Sequence, residues 1–203
     1  MKVLMLNGSP RPAGNTAAAL KEIGAALNRE GIEYEIFQID ARSVCDCIGC
    51  HRCTERGCVF EDGGVNDFIE KARHADAFVF GTPVYYGHPS GSILSFLDRV
   101  FFSSSYIFKG KPSASIAIAR RAGTTSALDV LNKYLTISGM HLIGSSYWNV
   151  AFGRAPGEVC KDEEGMQTMR NLGANLAWAL KLRQLSGISM PEPEKGSITN
   201  FIR

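Results

Sequence analysis

Five short runs rich in apolar and β-favouring residues, Val3 to Leu6, Glu33 to Ile39, Ala77 to Gly81, Ser113 to Ala119 and Leu142 to Tyr147, recur along the chain with longer helix-periodic stretches between them. This alternation constrains the fold more than any other feature, because it reads as a parallel sheet covered on both faces. The first covering helix is expected to start at Asn15 and Thr16, run through Ala17, Leu20, Ile23 and Leu27, and stop at Gly31. A second spans about Val65 to His74. The third aligns Ile93, Leu97 and Val100, the fourth Leu128, Leu131 and Leu135, and the fifth Met166, Met169, Gly173, Leu176 and Leu180. The 203 residues fit one α/β domain over 1–185 with an insert at about 43–64, and the Pro- and Gly-bearing stretch 186–203 is expected to be an irregular arm.

Short right-handed crossovers permit the strand order 2-1-3-4-5, a flavodoxin-like three-layer sandwich. Strands 1 and 3 are then neighbours at the point where the winding reverses. A ligand is expected where the loops after them meet, at Asn7 to Thr16 and at Thr82 to Gly91.

The first of these loops, Gly8-Ser9-Pro10-Arg11-Pro12-Ala13-Gly14-Asn15-Thr16, opens a helix whose unpaired N–H groups and dipole favour an anion. Ser9, Thr16 and Asn15 add side-chain donors, a set that suits a phosphomonoester. Neither G-x-G-x-x-G nor G-K-[ST] is present here, which excludes a nicotinamide fingerprint and a nucleoside-triphosphate loop. The alternative is an ordinary turn that uses Gly, Pro and Asn for backbone geometry.

The second loop places Pro83, Val84, Tyr85, Tyr86 and Gly87 at the carboxyl end of a buried strand. Flat apolar rings beside backbone donors suit an isoalloxazine, which needs a packing face and hydrogen bonds along its pyrimidine edge. Arg120, Arg121, Ala122, Gly123 and Thr124, after strand 4, offer positive charge and main-chain donors to the same edge. Taken singly, the tyrosines read equally as half-buried anchors and the arginines as a solvated turn.

Five of six cysteines crowd between Cys45 and Cys58. The N-terminal run Met1 to Leu6 is too short for a signal-peptide core, so a reducing, cytoplasmic location is expected, where such crowding favours metal or redox chemistry over disulfides. Cys47-x2-Cys50-x2-Cys53-x4-Cys58 has the compact spacing that wraps a chain around an iron–sulfur cubane. Zinc is the second choice, since four-cysteine zinc sites more often use two separated pairs. A set of reduced thiols lining a cofactor pocket remains the metal-free alternative. A net charge of +2, with basic residues spread along the chain, excludes a nucleic-acid footprint, and no membrane association is expected.

Together GSPRPAGNT, CIGCHRCTERGC, GTPVYYGHPSG and RRAGTTSALDVLNKYLTISGMHLIGSSYWNVAFG resemble the NADPH-dependent FMN reductase superfamily, and particularly its iron–sulfur flavoprotein branch. The resemblance implies an FMN phosphate held by Ser9, Arg11, Asn15 and Thr16, with the ring near Pro83 to Gly87 and Gly123. It implies a [4Fe-4S] cluster on Cys47, Cys50, Cys53 and Cys58. It further implies a homodimer or homotetramer, for which the aromatic segment Phe101, Phe102, Tyr106 and Phe108 is the expected contact. The expected activity is FMN-dependent oxidoreduction with electrons from a small-molecule or protein donor through the cluster. The alternative is an NAD(P)H-dependent FMN or quinone reductase with no cluster.

Overall fold

A parallel sheet forms the centre of the computed structural model, which describes residues 1–194, 196, 197 and 199. In chain order the elements are β1 (Lys2–Asn7), α1 (Asn15–Arg29), β2 (Glu33–Gln38), α2 (Val65–Arg73), β3 (Ala77–Tyr85), β4 (His88–Pro89), α3 (Gly91–Ser104), β5 (Pro112–Ala119), α4 (Thr124–Ile137), β6 (His141–Leu142), β7 (Val150–Phe152) and α5 (Glu163–Ser186). The sheet order is β2-β1-β3-β5, with β6 and β7 both parallel to the outer edge of β5. With β5 as the fourth strand and β6 and β7 sharing the fifth position, this is the flavodoxin-like order 2-1-3-4-5.

Alternation along the central strands feeds two cores. Val3, Met5, Ala77, Val79, Ala114 and Ile116 face α1 and α5, where Leu20, Ile23, Leu27, Met169, Leu172 and Leu176 complete one apolar layer. Leu4, Leu6, Phe78 and Phe80 face the other way, onto Phe68, Ile93, Phe96, Val100, Phe108 and Leu131. Successive strand side chains point to opposite faces, so a strand buried on both sides is mostly apolar, with small buried polar residues such as Ser113 and Ser115 of β5 as exceptions. The second layer is strongly aromatic: Phe78 and Phe101 each lie 4.7 Å from Phe108, centroid to centroid. Phe101 and Phe108, expected at a subunit contact, are therefore core residues, while Phe102 and Tyr106 from the same segment are exposed.

The fifth strand differs from expectation. The run Leu142 to Tyr147 does not form one strand; it leaves the sheet after Leu142 and pairing resumes at Val150. Helix α5 captures the intervening segment: Ser145 Oγ donates to the Thr168 carbonyl (2.6 Å), Asn171 Nδ2 to Ser146 Oγ (2.8 Å) and Asn175 Nδ2 to the Gly144 carbonyl (2.8 Å). These long-range bonds to α5 take the place of ladder pairing in the segment.

The insert after β2 carries no helix or strand from Ile39 to Glu61 beyond a single bridge between Thr54 and Gly57. Helix α5 ends at Ser186, and residues 187–194 are irregular. The rest of the expected arm falls partly outside the described residues. Among the described residues no helix is long and apolar enough to cross a membrane.

Candidate functional site

Where β1 ends, the chain is stitched to both neighbouring strands. The Gly8 N–H donates to the Gly81 carbonyl (2.8 Å), and Gln38 Nε2 reaches across from β2 to the Ser9 carbonyl (2.7 Å). The buried Ser90 hydroxyl donates to the Gly8 carbonyl (2.8 Å) while accepting from the Ile93 N–H at the start of α3. A side chain at Gly8 has no room: its Cβ would stand 2.8 Å from the Gly81 carbonyl oxygen and 2.5 Å from Ile93 Cδ1. Ser90→Ala removes both a helix cap and a tie between the two loops. It is expected to cost about 1–2 kcal/mol, read as a lower urea midpoint at unchanged slope.

Helix α1 begins at this point with its amino end open. Gly14 occupies the cap, among the described residues no side chain bonds the first-turn N–H groups, and the first turn carries no acidic residue. Around this end Ser9, Arg11, Gly14, Asn15 and Thr16 share a cleft of about 180 Å³ with Pro83, Val84 and Tyr85 of β3, Ile118, Ala119 and Arg120 of β5, and Gly153 and Arg154 after β7. Open N–H groups, hydroxyls and three guanidinium-bearing residues make one end of the cleft anion-selective, and Pro83, Val84 and Ile118 give the other an apolar wall.

Eight of the residues picked out in the sequence, Ser9, Arg11, Asn15, Thr16, Pro83, Val84, Tyr85 and Arg120, are thus brought to one place. Tyr86, Gly87, Arg121, Ala122, Gly123 and Thr124 are not among its lining. Tyr86 and Gly87 form the two-residue turn between β3 and β4, with φ of 51° and 76°, the left-handed pair that tight hairpins require. The Tyr86 ring is fully exposed. Gly123 starts α4 at φ 86°, and its Cβ would stand 2.6 Å from Gly87 Cα, so the two glycines pack backbone to backbone. Arg120, rather than Arg121, lines the cleft.

Sequence reasoning missed Ile118, Ala119, Gly153 and Arg154. The last two follow Val150-Ala151-Phe152, an apolar triplet whose strand character was the available signal. Asn15 secures this wall: its Oδ1 accepts from the Val159 N–H (3.3 Å). Beside it the main-chain N–H groups of Ala155 and Arg154 hold the Glu158 carboxyl below the usual carboxylate range.

The cysteine-rich insert forms a second locus. Cys47, Cys50, Cys53 and Cys58 line one cavity with Ile48, Phe60, Phe102 and Arg99. Cys45 is exposed outside that lining. Burial, followed by the proximity of Cys58, Cys50 and Cys47, pushes the Cys53 thiol up. Among the described residues no three His, Cys, Asp or Glu side chains are grouped tightly enough to hold a single metal ion. The compact Cys47-x2-Cys50-x2-Cys53-x4-Cys58 spacing is a donor set of the kind that wraps an iron–sulfur cubane, whereas four-cysteine zinc sites more often use two separated pairs. The cavity is small, about 10 Å³, and the loop that carries the four thiols has no regular structure.

Residues 1–155 match the model of the family described as NADPH-dependent FMN reductase. The chain is 32% identical to an iron–sulfur flavoprotein of Methanocaldococcus jannaschii over 90% of its own length and 98% of that protein. It is 27% identical to an NAD(P)H-dependent FMN reductase of Pseudomonas aeruginosa, over 90% of this chain and 97% of that one. Among solved structures, a flavodoxin from the domain Archaea superposes with a TM-score of 0.61 at 15% identity, covering 89% of this chain and 99% of that one. RosB with a bound intermediate superposes with a TM-score of 0.71 at 15% identity, covering 100% of this chain and 92% of that one. These two likenesses bear on the fold alone. The family match and the archaeal relative make this chain a member of the NADPH-dependent FMN reductase family, related to the iron–sulfur flavoproteins.

Proposed function

We propose that the cleft at the amino end of α1 binds FMN, that Cys47, Cys50, Cys53 and Cys58 hold a [4Fe-4S] cluster, and that the protein is an oxidoreductase exchanging electrons between a donor, the cluster and the flavin. One observation carries the flavin reading: three chain segments far apart in sequence, 9–16, 83–85 and 118–120, converge on one cleft with an open helix amino end at its floor. Bound FMN and a bound cluster supply two-electron and one-electron redox chemistry respectively.

The chain's own residues bind and orient. Ser9, Thr16 and the first-turn N–H groups of α1 grip the phosphate, with Arg11, Arg120 and Arg154 adding charge. Pro83, Val84 and Tyr85 pack the ring, and the Gly87–Gly123 contact fixes the loops on either side of it. The exposed rings of Tyr86, Phe102 and Tyr106 support a homodimer or homotetramer. A second reading, direct reduction of FMN by NAD(P)H with the cysteines uninvolved, is favoured by the Pseudomonas relative and by half-exposed Tyr85, which leaves one side of the cleft open to a small molecule.

Two measurements test these readings. If the floor of the cleft grips phosphate, FMN is expected to bind at least about 100-fold more tightly than riboflavin, a difference of about 2.7 kcal/mol; equal affinity removes the phosphate assignment. Protein purified without oxygen is expected to be brown, with iron and sulfide in equal amounts. A purely yellow protein that bleaches at once with NADPH decides for the second reading.

A further inference from the structure

Arg99 lies in the middle of α3 with its side chain 1% exposed, among the most buried positions in the molecule. A buried guanidinium stays charged, since its proton is not lost at any ordinary pH, so its cost must be met by partners. All of those partners belong to the cysteine insert and the turn that follows it. Nη1 donates to Asp62 Oδ2 (2.7 Å) and to the Cys45 carbonyl (3.5 Å), and Nη2 to the Phe60 carbonyl (2.6 Å). Nε points at Cys58 Sγ, 3.4 Å away. Asp62 Oδ2 in turn accepts from the Cys45 N–H (2.8 Å), so one rigid helix position clamps both ends of the insert.

Loop anchoring alone does not require this arrangement. The two carbonyls and the carboxylate could be held by donors at the surface, where solvation of the charge is free. What burial adds is a permanent positive charge in a low-dielectric site, one bond from the sulfur of a cavity-lining cysteine. A cluster reduced by one electron gains one unit of negative charge and no proton, and hydrogen bonds to its sulfurs and nearby charge are among the terms that set its potential.

The geometry points to Arg99 as a positioning residue that raises the reduction potential of a cluster on Cys47, Cys50, Cys53 and Cys58 and so sets the direction of electron flow between cluster and flavin. This rests on the reading that those four thiols hold a cluster. Asp62 offsets part of the charge, but its carboxylate bonds Nη1 while Nε is directed at Cys58, and it is partly exposed to solvent, where its field is screened more strongly.

The test is potentiometry on full-length protein purified without oxygen, following the cluster by electron paramagnetic resonance, with bound FMN as the check that the fold is intact. Arg99→Met is expected to shift the one-electron equilibrium toward the oxidised cluster by about tenfold, ~59 mV more negative. Arg99→Lys, which keeps the charge and loses the fork, is expected to recover more than half of that shift. Loaded Arg99→Met protein with the wild-type potential overturns the inference while leaving the cluster assignment standing. Wild-type protein without iron overturns both. If Arg99→Met binds FMN but no iron, the lysine variant decides: a loaded Arg99→Lys with a near-wild-type potential upholds the charge role, and one that also binds no iron overturns it in favour of loop anchoring alone.

Discussion

Gly8→Ala is expected to reduce FMN affinity at least about 100-fold and to destabilise the fold by about 1–3 kcal/mol, the usual cost of overpacking a filled site. The added methyl meets the Gly81 carbonyl oxygen at 2.8 Å and Ile93 Cβ at 2.8 Å. Ile93 Cδ1 can swing aside; the carbonyl and Cβ cannot. The loop must therefore lift from β3, which stretches the Gly8-to-Gly81 bond and rotates the peptide units that lead to the α1 amino end. Phosphate recognition depends on several donors aimed at one point, so a small rotation there costs more than its strain energy alone. Flavin-fluorescence titration and a urea melt read the two effects separately. Ser90→Ala supplies the comparison, because it weakens the same junction without inserting an atom. If Gly8→Ala keeps wild-type FMN affinity while melting earlier, the flavin does not sit against this loop.

The layers and winding of the sheet were legible because they follow from period and length. β1, β3 and the second half of β5, Ile116 to Ala119, are apolar at consecutive positions, the mark of a strand covered on both faces, and each is followed by a stretch of helical period. The winding also implies that the loops Asn7 to Thr16 and Thr82 to Gly91 meet, and of the second loop Pro83, Val84 and Tyr85 line the cleft. The fifth position was not legible for a physical reason. Leu142 to Tyr147 has strand composition, and what removes it from the sheet is Asn171, Asn175 and the Thr168 carbonyl on a helix about 25 residues downstream. Such a competition has no local signature. The same limit hid the wall at Gly153 and Arg154, whose placement depends on β7 reaching β5 and on the Asn15 bond to Val159. Arg99 was invisible in another way: on α3 it reads as one more polar interruption of an apolar stripe, and only packing reveals that its charge is turned inward.

The double substitution Cys50→Ala/Cys53→Ala is expected to abolish bound iron and sulfide while leaving FMN content unchanged. Each of the four thiols lines the same cavity, and a cubane deprived of two adjacent corners lacks the ligands to stay bound. The flavin should survive because the insert is fixed to the rest of the fold through α2 and α3, by Asn66 to Cys58 (2.9 Å and 2.8 Å) and by Arg99, and contributes no residue to the FMN cleft. Cys45→Ala and Cys160→Ala are the matched comparisons: both cysteines are exposed and neither lines the cavity, and each variant is expected to keep its full iron content. Elemental analysis distinguishes the metals, since a cubane brings four irons and four sulfides per chain and a zinc site brings one colourless ion. Iron retained by the double variant places the cluster elsewhere, and iron lost from Cys45→Ala makes that residue a ligand in place of one of the four.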